Sequence, residues 1–166
     1  MTSFEKIYSE FKKFENPLIL KDRGITFNRF IFKENIILVI DYLRKNELGA
    51  ELLSIKMTDK NIKNLVDAKE KLENFSNLLC DRINFLTENF RLIEIDRQNN
   101  KAQIRSYPPF IRQNEKLFFE IIINANEPSI YLCRKVVESD KKITKPAAFV
   151  LNDEVFLRLL QNLNPT

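Results

Sequence analysis

The stretch 58-TDKNIKNLVDAKEKLENFSNLLCDRINFLTEN-89 decides how this chain is read. It contains neither Gly nor Pro, and strand-like sequence lies on both sides of it. Leu65, Leu72, Leu79 and Leu86 recur every seven residues, and Ile62, Ala68, Phe75 and Leu78 fill the same side. The spacing predicts one long helix, on the order of 45 Å if fully helical. Thr58 and Asp59 are placed to cap its first turn, and Asp59 complements the helix dipole. The leucine ladder has two readings. It is a dimer seam, or it packs across a sheet within the chain. The alternating positions hold Ala68, Phe75 and Arg82, a poor second coiled-coil position, which favours the sheet and still allows a homodimer.

Upstream, residues 2–15 form a short amphipathic helix. Phe4, Ile7, Tyr8, Phe11 and Phe14 fall at helical spacing, with Lys6, Lys12 and Lys13 off that stripe. Asn16-Pro17 ends it. The stripe suits docking on the core; a membrane-surface or partner-binding role is disfavoured by its mixed charge. Strands are expected at 18–20, 25–32, 36–43 and 51–57, separated by turns at Asp22-Arg23-Gly24, Lys33-Glu34-Asn35 and Asn46–Gly49. Downstream, strands are expected at 91–97, 101–107, 116–124, 130–138 and 147–151. Gln98-Asn99-Asn100 makes a hairpin turn, Pro108-Pro109 a stop, and Asp140-Lys141-Lys142 a charged loop. Asn152 caps a last helix with Asp153 and Glu154 in its first turn and Phe156, Leu159, Leu160 and Leu163 as its buried stripe.

Composition removes several classes of function. Of 166 residues, 44% are apolar and 14 are Phe, enough for a real core. Only Gly24 and Gly49 occur, so neither a P-loop nor a dinucleotide fingerprint can be built. There is no His, which removes imidazole as base, shuttle or metal ligand. Cys80 and Cys133 lie far apart in sequence, which points to a reducing compartment and core packing rather than a disulfide or a nucleophile. No carboxylate pair stands out at a strand end, and no nucleophile has a base partner. The expectation is a non-catalytic protein with no cofactor and no metal. Without a signal peptide or an apolar run near 18 residues it reads as soluble and cytoplasmic, with no membrane partner.

Net charge is +4, unevenly spread: +3 over residues 1–33, −2 over 34–88, +4 over 89–146 and −1 over 147–166. Positive charge collects on the expected strands, which suits a polyanion or plain solubility.

The halves 17–89 and 90–164 match in plan, each passing through about four strands into a capped helix. At an offset of 94, Ile55-Lys56-Met57-Thr58-Asp59 aligns with Phe149-Val150-Leu151-Asn152-Asp153, and Ile62, Leu65 and Val66 align with Phe156, Leu159 and Leu160. The expected fold is α+β in one compact domain, 1–166: antiparallel sheets packed on helices, a duplicated ββββα plan with an extra N-terminal helix.

Lys116-Leu117-Phe118-Phe119-Glu120-Ile121, Ser129-Ile130-Tyr131-Leu132, and the run from Phe149-Val150-Leu151 into Asn152-Asp153-Glu154-Val155-Phe156 resemble, in order and spacing, one repeat of the PUR family. That family belongs with the Whirly and transcriptional-coactivator group of single-stranded nucleic-acid binders. The resemblance covers residues 116–163, less than a third of the chain. Residues 125–128 lack the family's turn glycine, and no Whirly-type lysine-glycine-lysine motif is present. The resemblance implies a sheet-and-helix fold that binds single strands.

Strand alternation places the candidate contacts. Lys101, Gln103, Arg105 and Tyr107 share one face; Ser129, Tyr131, Cys133 and Lys135 share another; Phe27, Arg29, Ile31 and Lys33 a third. Faces that mix cations with aromatics suit single-stranded DNA or RNA, with cations on phosphates and rings under bases. They also suit the solvated side of any antiparallel sheet. In the loop 107–112, exposed aromatics stand beside Arg112, either as a contact loop or as a strand cap. Lys141-Lys142-Ile143-Thr144-Lys145 reads as a solvated loop or a phosphate contact. The candidate nucleic-acid contacts are therefore Phe27, Arg29, Lys101, Gln103, Arg105, Tyr107, Arg112, Tyr131 and Lys135. The rival reading is a protein-interaction adaptor. The N-terminal helix, strands and long helix resemble a dimeric secretion-chaperone plan, although those chaperones are generally acidic and this chain is basic.

Overall fold

From Leu18 to Thr58 the chain is rich in Ile, Leu, Phe and Val and is interrupted only by short polar turns. Such sequence favours paired strands. In the computed structural model, which describes residues 3–66, 70–138 and 140–165, this segment is an antiparallel meander of β1 (Leu18–Asp22), β2 (Ile25–Lys33), β3 (Ile37–Lys45) and β4 (Gly49–Thr58). Between β1 and β2, Arg23 (φ 49°) and Gly24 (φ 79°) form a two-residue left-handed turn, whose twist matches that of the strands.

A second meander holds β5 (Phe90–Asp96), β6 (Lys101–Ser106), β8 (Glu115–Asn124) and β9 (Ser129–Glu138). The short β7 (Phe110–Arg112) pairs with the start of β8. The last strands of the two meanders pair with each other, giving one antiparallel sheet in the order β1-β2-β3-β4-β9-β8-β6-β5. At one end β4 and β9 part. There β10 (Thr144–Ala147) pairs with β9, and β11 (Phe149–Asn152) pairs with β4. Neither β7 nor β10 was expected from sequence. Each is only a few residues long, and β10 contains Pro146, which cannot donate a ladder hydrogen bond.

The long helix expected over 58–89 is not one helix. Thr58 ends β4, paired with Ile37 and Ser129, and so belongs to the strand rather than to a helix cap. The Asp59 carboxylate accepts from the Asn61 amide, and the Asp59 amide donates to Pro128. A 3₁₀ segment follows over Lys60–Val66, and α2 spans only Lys71–Arg82, with a further 3₁₀ turn at Asn84–Leu86. The physical reason is local. Asn61, Ile62 and Asn64 are weak helix formers, and the Asp59 carboxylate, as expected of a cap, bonds the Asn61 amide, but the turn it caps is the 3₁₀ segment beginning at Lys60 rather than a long α-helix. Ala68 lies outside the described residues. The leucine ladder is nevertheless spent on the interior. Leu72, Leu79 and Leu86 are buried and Leu65 packs against the core, so none forms a free seam.

Three helices cover one face of the sheet. α1 (Ser3–Lys13) buries Ile7, Tyr8 and Phe11; α2 packs on β5 and β6; α3 (Asp153–Leu163) packs on β4 and β11. Phe11 meets Phe30, Tyr42 and Phe156 at ring-centroid distances of 5.2–5.5 Å. Burial of a side chain of this size contributes about 2–3 kcal/mol. Asn152 caps α3 as expected, accepting from the Val155 amide at 2.8 Å. The two strand-to-helix joints aligned at offset 94 occupy unlike places: β4 is central, whereas β11 pairs with β4 itself.

Two expectations follow for stability. A Cβ on Gly49 would lie 2.2 Å from the Leu151 carbonyl oxygen and 2.9 Å from Asn152 Cα, both backbone atoms. Gly49→Ala should therefore destabilise by roughly 2–4 kcal/mol, read as a lowered chemical-denaturation midpoint. Asp153 accepts from the Tyr8 hydroxyl and from Lys12 Nζ (2.9 Å), which ties α1 to α3. Partial burial alone would raise the Asp153 carboxyl, but these two bonds hold it below its ordinary value. A depressed folded value stabilises above the unfolded pKa and is lost as pH falls through the folded one. Asp153→Asn should thus cost about 1 kcal/mol at pH 7, with the difference from wild type shrinking below about pH 4 in thermal melts across pH.

Candidate nucleic-acid interface

The helices leave the other face of the sheet open, and register decides what stands there. Across eight strands one cross-strand row reads Leu18, Arg29, Asp41, Ser54, Cys133, Glu120, Arg105 and Arg91. The next row toward the Thr58 end holds Ile31, Val39, Lys56, Tyr131, Ile122, Gln103 and Glu94. By alternation Phe27, Lys101 and Lys135 join this face. The three faces read separately from sequence are therefore one surface. Tyr107 joins it through Arg91, whose guanidinium carbon lies 4.1 Å from the ring centroid. Arg112 does not. It stands opposite Glu115, on the parity of the helix-covered side, and pairs with Glu115 at 2.9 Å.

The cations are anchored by two buried carboxylates. Arg29 Nε and Nη2 donate to the two oxygens of Asp41 at 2.7 and 3.0 Å, and Ser54 Oγ donates to Asp41 at 3.3 Å. The Asp41 bonds push Arg29 above its ordinary pKa. Glu120, only 5% exposed, accepts from Lys135 (2.6 Å), Gln103 (2.9 Å) and Arg105 (3.2 Å). Burial pushes the Glu120 carboxyl up, but the Lys135 and Gln103 hydrogen bonds outweigh it and hold the group below its usual range. Neither acid was among the sequence candidates. The signal was present: each is a carboxylate between apolar neighbours, Asp41 between Ile40 and Tyr42 and Glu120 between Phe119 and Ile121, and such a group needs a partner opposite.

Among the strand residues that register places on this face, cations still outnumber carboxylates. Arg29, Lys33, Arg44, Lys56, Arg91, Lys101, Arg105, Lys116 and Lys135 stand against Asp22, Asp41, Glu51, Glu94, Asp96 and Glu120. Three arginines lie over rings: Arg91 on Tyr107, Arg105 on Phe118 at 4.9 Å, and Arg29 near Phe27 at 5.9 Å. Tyr131 is 38% exposed in the middle of the sheet, and Tyr107 is 50% exposed near its far side.

Where β4 and β9 part, the open face sinks into a pocket of about 360 Å³. Asp41, Ser54 and Cys133 are its buried polar groups; the turn at Asp22-Arg23 and the strand β10 contribute to its lining, as do Phe27, Tyr131 and Lys135. Burial pushes the Tyr131 phenol above its ordinary value and the Cys133 thiol up to about 11. At neutral pH the thiol is therefore a poor nucleophile. Cys80 is buried in α2 and likewise pushed up to about 11 by burial. Among the described residues no group of His, Cys, Asp and Glu side chains could hold a metal ion, and no helix is long and apolar enough to cross a membrane.

Glu120 tests the electrostatics of the face. Its lowered folded pKa stabilises above the unfolded value and is lost as pH falls through the folded one. Glu120→Gln should cost about 1–2 kcal/mol at pH 7 and flatten the acid limb of the stability curve below about pH 5, measured by urea denaturation across pH. Compared with protein families, with curated proteins and with solved structures, the chain shows no match.

Proposed function

We propose that the protein is a non-catalytic binder of single-stranded DNA or RNA and that the strand lies across the open face of the sheet. The observation that carries this is the set of arginine–aromatic pairs on a face that keeps a cationic surplus. A ring can take a base by stacking, worth roughly 1–3 kcal/mol per base, while a guanidinium fixed over a neighbouring ring takes a phosphate. The alternation of Lys101, Gln103 and Arg105, of Phe27 and Arg29, and of Tyr131 and Lys135 puts both kinds of group on one surface.

In this reading the two meanders are copies of one ββββα plan, although their strand-to-helix joints occupy unlike places in the sheet. The cross-strand row reads Arg29, Asp41, Ser54 from one side and Arg105, Glu120, Cys133 from the other, meeting at the β4–β9 seam. Two copies of one contact surface placed side by side would lengthen the track for a strand.

A second reading, a protein-interaction adaptor, is favoured by one feature. β1 is an edge strand, with Leu18 56% and Ile19 71% exposed. Such an edge can add a strand from a partner.

The experiment is fluorescence anisotropy with labelled single-stranded DNA and RNA over a salt series. Binding should weaken linearly in log–log form, because phosphate contacts release counterions. Lys101→Glu combined with Lys116→Glu should weaken it at least tenfold, and Glu120→Gln, which releases Lys135 and Arg105, should tighten it while lowering stability. Absence of binding at low salt, or binding indifferent to salt, refutes the proposal. Capture of a protein partner that survives nuclease and is lost in Ile19→Lys would favour the adaptor.

A further inference from the structure

We propose that the pocket at the β4–β9 seam takes one nucleotide of the bound strand, its base inward and its phosphate at the rim. This rests on the open-face reading above. A volume of about 360 Å³ lies at the lower end of small-ligand sites and suits a single nucleotide rather than a helix or a folded partner. Phe27, Leu53 and Pro146 supply apolar surface for a base, and the Tyr131 ring stands beside them.

The lining cations on the open side are Arg23 and Lys135, against the carboxylates Asp22 and Asp41; Arg134 and Lys145 line the pocket from strand positions of the opposite parity. Arg134 is engaged by Glu88, and Lys145 and Lys135 lean on Glu138 and Glu120, so Arg23 on its exposed turn is the cation best placed to move onto a phosphate. The pocket is also continuous with the row of Arg29 and Arg105. A strand stacked on the open face therefore passes its mouth. Asp41 is already engaged by Arg29 and Ser54, so base recognition would fall to hydroxyls and stacking and be tolerant of sequence.

The test titrates the full chain with adenosine 5′-monophosphate, followed by amide NMR shifts, and with a labelled 10-mer single strand, followed by anisotropy. Two rim variants are compared. Thr144→Trp fills the mouth from β10, and Arg23→Glu reverses the charge on the turn; circular dichroism and melting establish that each is folded. The nucleotide should shift the amides of Ser54, Tyr131 and Thr144 in wild type and not in the variants, and the variants should bind the 10-mer about tenfold more weakly. If folded variants bind the 10-mer as wild type does and the nucleotide shifts none of these amides, the pocket proposal is overturned while the open-face reading stands. If wild type ignores the 10-mer yet the nucleotide still shifts these amides, the open-face reading fails and the pocket stands as a nucleotide site.

Discussion

The register of β4 on β9 is the constraint on which the rest of the molecule depends. Ile55 faces Leu132, and one residue away Ser54 faces Cys133. The first pair belongs to an apolar row, Phe30, Ile40, Ile55, Leu132, Ile121, Ile104 and Leu92, that lies under the helices. The second belongs to the polar row on the open face. A slip of one residue would exchange the rows, exposing isoleucines and pressing Asp41 and Glu120 against Phe and Leu. The helices reinforce the join from above. α2 follows the first meander yet packs on β5 and β6 of the second, and α3, at the end of the chain, packs on β4 of the first. Each meander is thus covered by the helix that follows the other.

The polar row has its own cost. Taking Asp41 and Glu120 out of water is unfavourable unless every oxygen is engaged. Arg29 answers the first acid with a two-pronged fork, and Lys135, Gln103 and Arg105 converge on the second. These pairs hold half-exposed cations in place on a surface where free lysines would otherwise swing. The same pairing lowers the field the face presents to a polyanion. A phosphate must compete with a carboxylate already in place, so binding through this face is expected to depend on geometry as well as on total charge.

Much of this was readable because strands have a period of two. The parity of 101–107, of 129–135 and of 27–33 follows from alternation alone. Asn152 was readable because a cap bonds to its own helix. The failures share a different cause. The seven-residue leucine spacing from Leu65 to Leu86 satisfies a long helix, but separate turns satisfy it too, and spacing cannot distinguish them. The Asp59 cap is local and was readable, yet a strand running through Thr58 is set by pairing with Ile37 and Ser129, far away in sequence. Arg112 follows exposed aromatics and so reads as part of the contact surface; pairing with β8 after Pro108-Pro109 gives it the opposite parity. The engagement of Asp41 by Arg29 lies within one hairpin and was open to a register argument. That of Glu120 is not, since it needs β6, β8 and β9 side by side.

The pocket follows from how the two meanders are joined. Between Asp41 and Arg44 the β3–β4 register shifts twice, leaving Leu53 as an extra residue on β4 and then Leu43 as one on β3. Bulges of this kind bend a strand and increase its twist, and they recur beside functional sites. Beyond the bulge β4 leaves β9, so the backbone groups of both strands would lack partners. β10 and β11 supply them by pairing first with β9 and then with β4. A hand-over between strands fills the plane of the sheet but not the volume above it, because β10 brings only Thr144 and Pro146 to the open side. The depression is therefore required by the join. It also lies where Arg29–Asp41 and Lys135–Glu120 approach from opposite sides, which places the deepest part of the face between its two fixed ion pairs.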